Sequence, residues 1–288
     1  MELRVMKKGF NYSQDGRGNR LVYHLQGCNM RCRWCSNPES MAVQGVMMLT
    51  GTPPESCCPF GAIENGTLNR TLCTECTQRP CLQQRRSKGL QFSCKSIPLE
   101  ELLQECEDSR PLYFDGGGVT LSGGEPTLQF AGVRQLLEGL RERGIHTAIE
   151  TNGTHPQLAE LFPLIDQLIM DLKHPDPEIH KQFTGLSNEA TMENLKQAFA
   201  LHPNLLVRTP LIQGVNADEA ALQGFLRFYA AQDTDRAGFE LLKYHEYGSV
   251  KWGQCGMEYQ MHDGSVEEET RLRFEEAYRA QGLRVVRT

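Results

Sequence analysis

The sequence predicts an α/β fold, a partial (β/α)6 TIM-like barrel that carries a small cysteine-rich insert. Three observations lead there. Short apolar runs recur along the 288 residues with helical stretches between them. Ten of the eleven cysteines fall between Cys28 and Cys106. Residue types that can do chemistry fall at the ends of predicted strands, where parallel barrels place their active sites.

The elements follow in order. Arg20–Gln26 reads as a strand leading into a cysteine loop. From Val46 to Lys95 the chain is irregular and rich in cysteine, so residues 46–95 are set apart as the insert. Residues 1–45 and 96–288 then form the barrel. Gly118–Leu121 is the second strand and ends in the turn Ser122-Gly123-Gly124-Glu125. Pro126 suits the first turn of a helix, and Phe130, Val133, Leu136, Leu137 and Leu140 continue it at helical spacing. Ile145–Thr151, Gln167–Leu172, Leu205–Leu211 and Phe239–Tyr244 are the third to sixth strands. Ser265 with Glu268 forms a capping box for the last helix, and Leu283–Arg287 reads as a terminal strand. Repeated βα units imply a parallel sheet.

Composition narrows the function. A net charge of −6 argues against nucleic acid as the main partner. No run of about 18 apolar residues is present to cross a membrane, and Met1 to Tyr12 has no apolar signal-peptide core. The chain is therefore expected in the cytoplasm, away from membranes; it is also expected to be a monomer. Eleven cysteines in such a chain argue for metal or redox chemistry rather than disulfides.

Cys28, Cys32 and Cys35 stand at C-x3-C-x2-C spacing in one loop between Gly27 and Pro38. Three thiolates are one short of the usual ligand set of a cubane iron–sulfur cluster. One iron would stay open, as catalytic metal sites require. A zinc knuckle or buried structural thiols are the alternatives. At the other strand ends, the backbone of Gly123 and Gly124 can approach a ligand closely. Their carbonyls and Glu125 can accept from an ammonium group. Glu150, with Thr151 beside it, ends the third strand; Asp171, Leu172 and Lys173 end the fourth. Glu150 and Asp171 are hard oxygen ligands suited to a cation, and Lys173 can pair with a carboxylate. Arg208 can clamp a carboxylate bidentately, or face outward from its strand. His245 ends the sixth strand, as a ligand contact or as an ordinary exposed histidine.

Taken together these strings resemble a known family. The cysteine spacing with Trp34 before the third thiol resembles the signature of radical S-adenosylmethionine (SAM) enzymes. Asp15-Gly16-Arg17-Gly18-Asn19-Arg20, the run from Gly116 to Pro126, Asp171-Leu172-Lys173, Pro210 to Asn216 and Tyr244 to Gly248 look like the glycyl-radical-enzyme activating enzymes, the pyruvate formate-lyase activase group. The resemblance covers the chain outside the insert. It implies that Trp34, Cys35, Ser36, Gly123, Gly124, Glu125, Glu150, Thr151, Asp171, Leu172, Lys173, Arg208 and His245 line the SAM site. It also implies that Asp15 lies near the partner's glycine loop. Arg17 stands where the family commonly has proline, and Glu150 where it often has aspartate, which bears on a bound monovalent cation.

Larger members of the family carry a two-cluster ferredoxin module after the first cysteine loop. In such modules C-x2-C-x2-C-x3-C-P occurs twice, and each fourth cysteine serves the other cluster. Here Cys58-Pro59 resembles the end of the first half, whose other three cysteines are absent at that spacing. Cys73, Cys76 and Cys81 resemble the second half. The crossed ligation implies one auxiliary 4Fe–4S cluster on Cys58, Cys73, Cys76 and Cys81. Cys57 in place of Cys58, Cys94 in place of Cys81, and zinc in place of iron are the alternatives. Cys106, in an acidic helical stretch, and Cys255, in a C-terminal loop, read as ordinary thiols. Arg79, Arg85, Arg86, Lys88 and Lys95 read as a solvated face or as a dock for an acidic flavodoxin or ferredoxin.

The resemblance implies an activase. A reduced cluster would cleave SAM to methionine and a 5′-deoxyadenosyl radical. That radical would take hydrogen from a glycine Cα of a partner glycyl radical enzyme, with no protein acid or base required. A peptide-modifying maturase is the rival within radical chemistry. A non-catalytic iron–sulfur electron carrier is the rival outside it.

Overall fold

A computed structural model describes residues 1–83 and 89–288. The basic residues Arg85, Arg86 and Lys88 lie outside the described residues.

Eight strands form the main sheet. They are β1 (Glu2–Tyr12), β2 (Asn19–Leu25), β7 (Lys95–Pro98), β8 (Gly118–Gly123), β9 (Thr147–Thr151), β10 (Gln167–Asp171), β11 (Leu205–Leu211) and β12 (Ala237–Lys243). Their order is β12-β11-β10-β9-β8-β2-β1-β7. From β2 to β12 every neighbouring pair is parallel. The six predicted strands are therefore the six parallel strands of a partial barrel. β1 and β7 extend the sheet antiparallel beyond β2.

Alternation on the parallel strands sorts their side chains. Leu21, Tyr23 and Leu25 of β2 join the main apolar core with Leu121 of β8 and Ile149 of β9. The helices α2 (Leu99–Asp108), α3 (Phe130–Glu142), α5 (Glu189–Leu201), α6 (Glu219–Ala230) and α8 (Glu268–Ala280) contribute Leu102, Leu136, Leu195, Phe225 and Phe274 to that core. The next shorter helices, α4 (Pro177–Thr184) and α7 (Ser249–Gln254), sit by the cysteine loop.

Between β2 and β7 the chain builds a second small core. β3 (Met47–Leu49) pairs with β6 (Leu90–Phe92), and β4 (Ile63–Glu64) pairs with β5 (Thr67–Leu68). A short α-helix, α1 (Arg70–Glu75), follows. Met47, Cys57, Ile63, Cys81 and Leu90 pack there, apart from the main core.

Several expectations are corrected. The first eleven-residue strand, β1, is absent from the sequence reading because its charged second half faces outward as an exposed stretch. The capping box on Ser265 does not form. The last helix begins at Glu268, Glu267 stands at its N-cap, and no side chain caps it. Leu283–Arg287 makes one bridge, Phe239 to Val285, instead of a strand. Cys255 lies at the C-terminal end of α7 and is buried.

Candidate active site

A cavity of about 330 Å³ opens at the C-terminal ends of the parallel strands. Its wall brings together Cys28, Cys32, Cys35, Trp34 and Ser36 from the cysteine loop. Gly123 and Gly124 of the turn after β8 join them, with Glu150, Thr151, Asp171, Lys173 and His245 from later strand ends. Asp15 comes from the loop after β1.

Backbone contacts set the cysteine loop. Arg31 and Arg33 donate their amides to the carbonyls of Thr184 and Phe183, at 2.6 and 3.1 Å, so the end of α4 holds one flank. Glu125 donates its amide to the Gly27 carbonyl at 2.7 Å, tying the loop to the Gly-Gly turn. A Cβ at Gly124 would lie 2.3 Å from the Gly27 carbonyl oxygen, so only glycine allows this approach. Burial pushes the three thiols up to about 12. Three thiols on one cavity wall, Cys32 buried and Cys28 and Cys35 half-buried, beside the ammonium of Lys173, suit a metal-bound thiolate cluster with room for a ligand.

Lys173 pairs with Asp171. Burial works against its charge, but Asp171 and the Cys32 sulfur outweigh it and hold the ammonium above its ordinary range. His245 is exposed at the rim and stacks on Tyr247, with ring centroids 4.4 Å apart.

Three predicted contacts turn inward. Glu125 is fully buried. Its carboxylate accepts from the Thr127 amide at 3.0 Å, the Thr151 hydroxyl at 2.7 Å and the Asn152 amide at 2.7 Å, and from the Thr127 hydroxyl. Arg208 lies behind the wall, not on it. Its Nη1 donates to Glu150 at 2.8 Å and its Nε to Glu240 at 2.7 Å. The Ser122 hydroxyl adds a second bond to Glu150 at 2.7 Å. Burial opposes the charge on Glu150, and Arg208 overrides it, so the carboxylate stays below its usual range. Leu172 is buried in the main core and gives its backbone amide to the Arg208 carbonyl at 2.9 Å.

Several wall residues went unread in the sequence. His24 lines the cavity with its Nδ1 buried and without a partner among the described residues. Asn37 also lines it, together with Ser122 and Asn152 from the two strand-end segments that the sequence had marked. Glu240 could be found only once β11 and β12 were known to pair Arg208 with it. In the insert, Cys58, Cys73, Cys76 and Cys81 line one small pocket with Phe60 and Leu72. Cys57 is turned into the insert's core, and Cys94 is absent from that lining. Among the described residues no three acidic, histidine or cysteine side chains gather closely enough for a single metal ion.

A partial barrel with a three-thiol loop and a Gly-Gly turn at its strand ends has the layout of a radical SAM enzyme. The Radical SAM superfamily model matches residues 22–223. An isethionate sulfite-lyase activating enzyme from Desulfovibrio desulfuricans is 36% identical over 273 residues, covering 88% of this chain and 86% of the relative. A 4-hydroxyphenylacetate decarboxylase activating enzyme from Clostridioides difficile is 32% identical, covering 88% and 86%. Among solved structures, a domain of a pyruvate-formate lyase-activating enzyme from Bacteroides vulgatus superposes with a TM-score of 0.50 at 26% identity. It covers 59% of this chain and 98% of that one. A radical SAM methyltransferase from Sphaerobacter thermophilus shares the fold, with a TM-score of 0.57 at 13% identity, over 96% of this chain and 67% of that one. The chain belongs to the radical SAM superfamily, and within it to the glycyl-radical-enzyme activating enzymes.

Proposed function

We propose that this chain reductively cleaves SAM and abstracts a hydrogen atom from a glycine Cα of a partner glycyl radical enzyme. The observation that carries the reading is the meeting of the three-thiol loop, the Gly123-Gly124 turn, Lys173 and Asp15 on one cavity wall. When bound, a 4Fe–4S cluster supplies the electron that breaks the C5′–S bond of SAM and so yields the 5′-deoxyadenosyl radical.

The protein's part is to bind, orient and exclude water. Cys28, Cys32 and Cys35 would hold three irons and leave the fourth to the amino and carboxylate groups of SAM. The carbonyls of Gly123 and Gly124 accept from its ammonium. Trp34, Ser36, Thr151, Asp171, Lys173 and His245 surround the remainder. Glu125 and Arg208 act as positioning residues: Glu125 ties the Gly-Gly turn to the end of β9, and Arg208 holds Glu150. A monovalent cation at Glu150 or Asp171 would share those carboxylates with the Arg208 guanidinium and the Lys173 ammonium. Asp15, half-buried in the wall, faces the entering glycine segment.

The insert is proposed to hold one auxiliary 4Fe–4S cluster on Cys58, Cys73, Cys76 and Cys81, supported by their shared pocket. The proposed electron donor is a flavodoxin or ferredoxin, and the chain acts as a monomer in the cytoplasm. Among the described residues, no helix is long and apolar enough to cross a membrane.

The test is anaerobic reconstitution followed by dithionite and SAM. The expected product is 5′-deoxyadenosine, with about eight irons per wild-type chain and about four in Cys58→Ala. A fully loaded chain that makes no 5′-deoxyadenosine overturns the activase reading. About four irons in the wild type overturns the auxiliary cluster alone. A glycyl-radical doublet on a glycyl radical enzyme incubated with the chain separates an activase from a maturase.

A further inference from the structure

The cysteine loop and the insert are both fastened to α7, a six-residue helix that the sequence reading passed over. At one end, Trp252 donates its indole N–H to the Cys35 carbonyl at 2.9 Å. Lys251 donates to the Asn37 side-chain oxygen at 2.8 Å and to Glu39 at 2.6 Å. Asn37 in turn gives its backbone amide to the Cys35 sulfur at 3.4 Å. Gly248, just before the helix, lies against the Ser36 backbone, where a Cβ would come within 2.5 Å.

The insert grips the opposite end. Arg70, at the start of α1 and three residues before Cys73, donates one nitrogen to the Gln254 carbonyl and another to the Met47 carbonyl, both at 2.9 Å. Gly256 makes room for it: its φ is +74°, and a Cβ there would sit 1.9 Å from the Arg70 Nε. Two glycines thus let one short helix close on both sets of thiols.

Hydrogen bonds to cluster sulfurs are among the main determinants of an iron–sulfur potential. An N–H aimed at a thiolate stabilises the more negative, reduced state, and its hold depends on the groups around it. Glu39 offsets the charge of Lys251, so the effect comes from the Asn37 amide that Lys251 keeps in place rather than from its own field.

We propose that α7 tunes the reduction potential of the cluster held by Cys28, Cys32 and Cys35. Lys251 and Trp252 are its positioning residues, and Arg70 anchors it to the insert. The inference rests on the activase reading. It makes the ease of reducing the catalytic cluster depend on a contact from the insert.

The test is a redox titration followed by electron paramagnetic resonance on the reconstituted full chain. The signal that changes on adding SAM identifies the open-site cluster. Lys251→Met, Trp252→Phe and Arg70→Gln should each move its midpoint to a more negative potential at unchanged iron content. Lys251→Gln, which keeps a donor toward Asn37, should move it less. Lys196→Met, on an exposed helix face, should leave it at the wild-type value. Unmoved midpoints in Lys251→Met and Trp252→Phe overturn the tuning. A wild-type midpoint in Arg70→Gln alone overturns the anchor. A wild-type chain with no SAM-responsive signal overturns the activase reading, and the inference with it.

Discussion

A polar side chain at a strand end meets a ligand only if nothing inside the fold claims it first. Arg208 shows the difference. It is 3% exposed and lies between Glu150 and Glu240. Its charge sits above the ordinary guanidinium range because those two carboxylates outweigh the cost of burial. Arg208→Met leaves both carboxylates without their partner and should cost about 3–5 kcal/mol of stability. Arg134→Met, which breaks exposed pairs with Glu138 and Glu160, should cost about 0–1 kcal/mol. Urea unfolding of the cluster-free proteins measures both. Equal costs would show that Arg208 is not the buried brace described above.

His180 carries the acid sensitivity. Its Nδ1 donates to the Leu186 carbonyl at 2.6 Å, and its Nε2 is buried with no partner among the described residues. Burial lowers its pKa from 6.5 to about 4. The folded state therefore prefers the neutral ring. Its stabilisation is complete above pH 6.5 and is lost as pH falls from there toward about 4, because the unfolded chain takes the proton first. The loss is on the order of 3 kcal/mol once both states are protonated. His24, His146, His174 and His202 are lowered by burial too and add to the same slope. His180→Gln should thus flatten, but not abolish, the fall in urea midpoint between pH 7 and pH 5. Since Thr184, beside His180, holds the Arg31 amide, the acid transition should also loosen the cysteine loop.

At the scale of elements, the site depends on backbones that approach without side chains between them. Gly124→Ala would drive a methyl group into the Gly27 carbonyl, and backbone is the neighbour least able to give way. Overpacking of this kind costs about 1–3 kcal/mol, and here the strain falls on the loop that carries Cys28. Weaker SAM binding by at least about tenfold is the expected result, read by equilibrium binding on the reconstituted protein. Wild-type affinity in Gly124→Ala would mean that the turn does not fix the loop.

The same scale explains what was legible. The six parallel strands were readable because each is short, apolar and closed by glycine, proline or a polar turn. Cys28, Cys32 and Cys35 were readable because their ligand set is local. Glu125 was misread as a free acceptor because two of its partners, Thr151 at the end of β9 and Asn152 just after it, are 26 and 27 residues away. β1 hid because it pairs antiparallel outside the βα rhythm and leaves its second half exposed. Lys251 and Trp252 had no local pattern at all, being more than 210 residues from Asn37 and Cys35.

At the scale of the whole molecule, two cores of very unequal size share one chain. The barrel core is built from every parallel strand and most of the helices, whereas among the described residues the insert's buried core is five residues, two of them cysteines. A core that small cannot outweigh the entropy of ordering its own loops. Its stability must come from α7, which Arg70 grips, and from whatever the thiols bind. Hydrogen exchange should therefore separate the two. In cluster-free protein the amides of β8, β9 and β10 should exchange slowest, and those of β3 to β6 and α1 should exchange much faster. Loading the clusters should protect β3 to β6, α1, α7 and the cysteine loop, while β8 to β10 change little. Protection gained uniformly across the barrel would mean that the insert is not a separately stabilised unit. Protection gained at the cysteine loop but not in the insert would mean that Cys58, Cys73, Cys76 and Cys81 hold nothing. With Arg70→Gln the gain at α7 should shrink even when both clusters are present, because the helix then loses the Arg70 hold and keeps those on Cys35, Asn37 and Glu39.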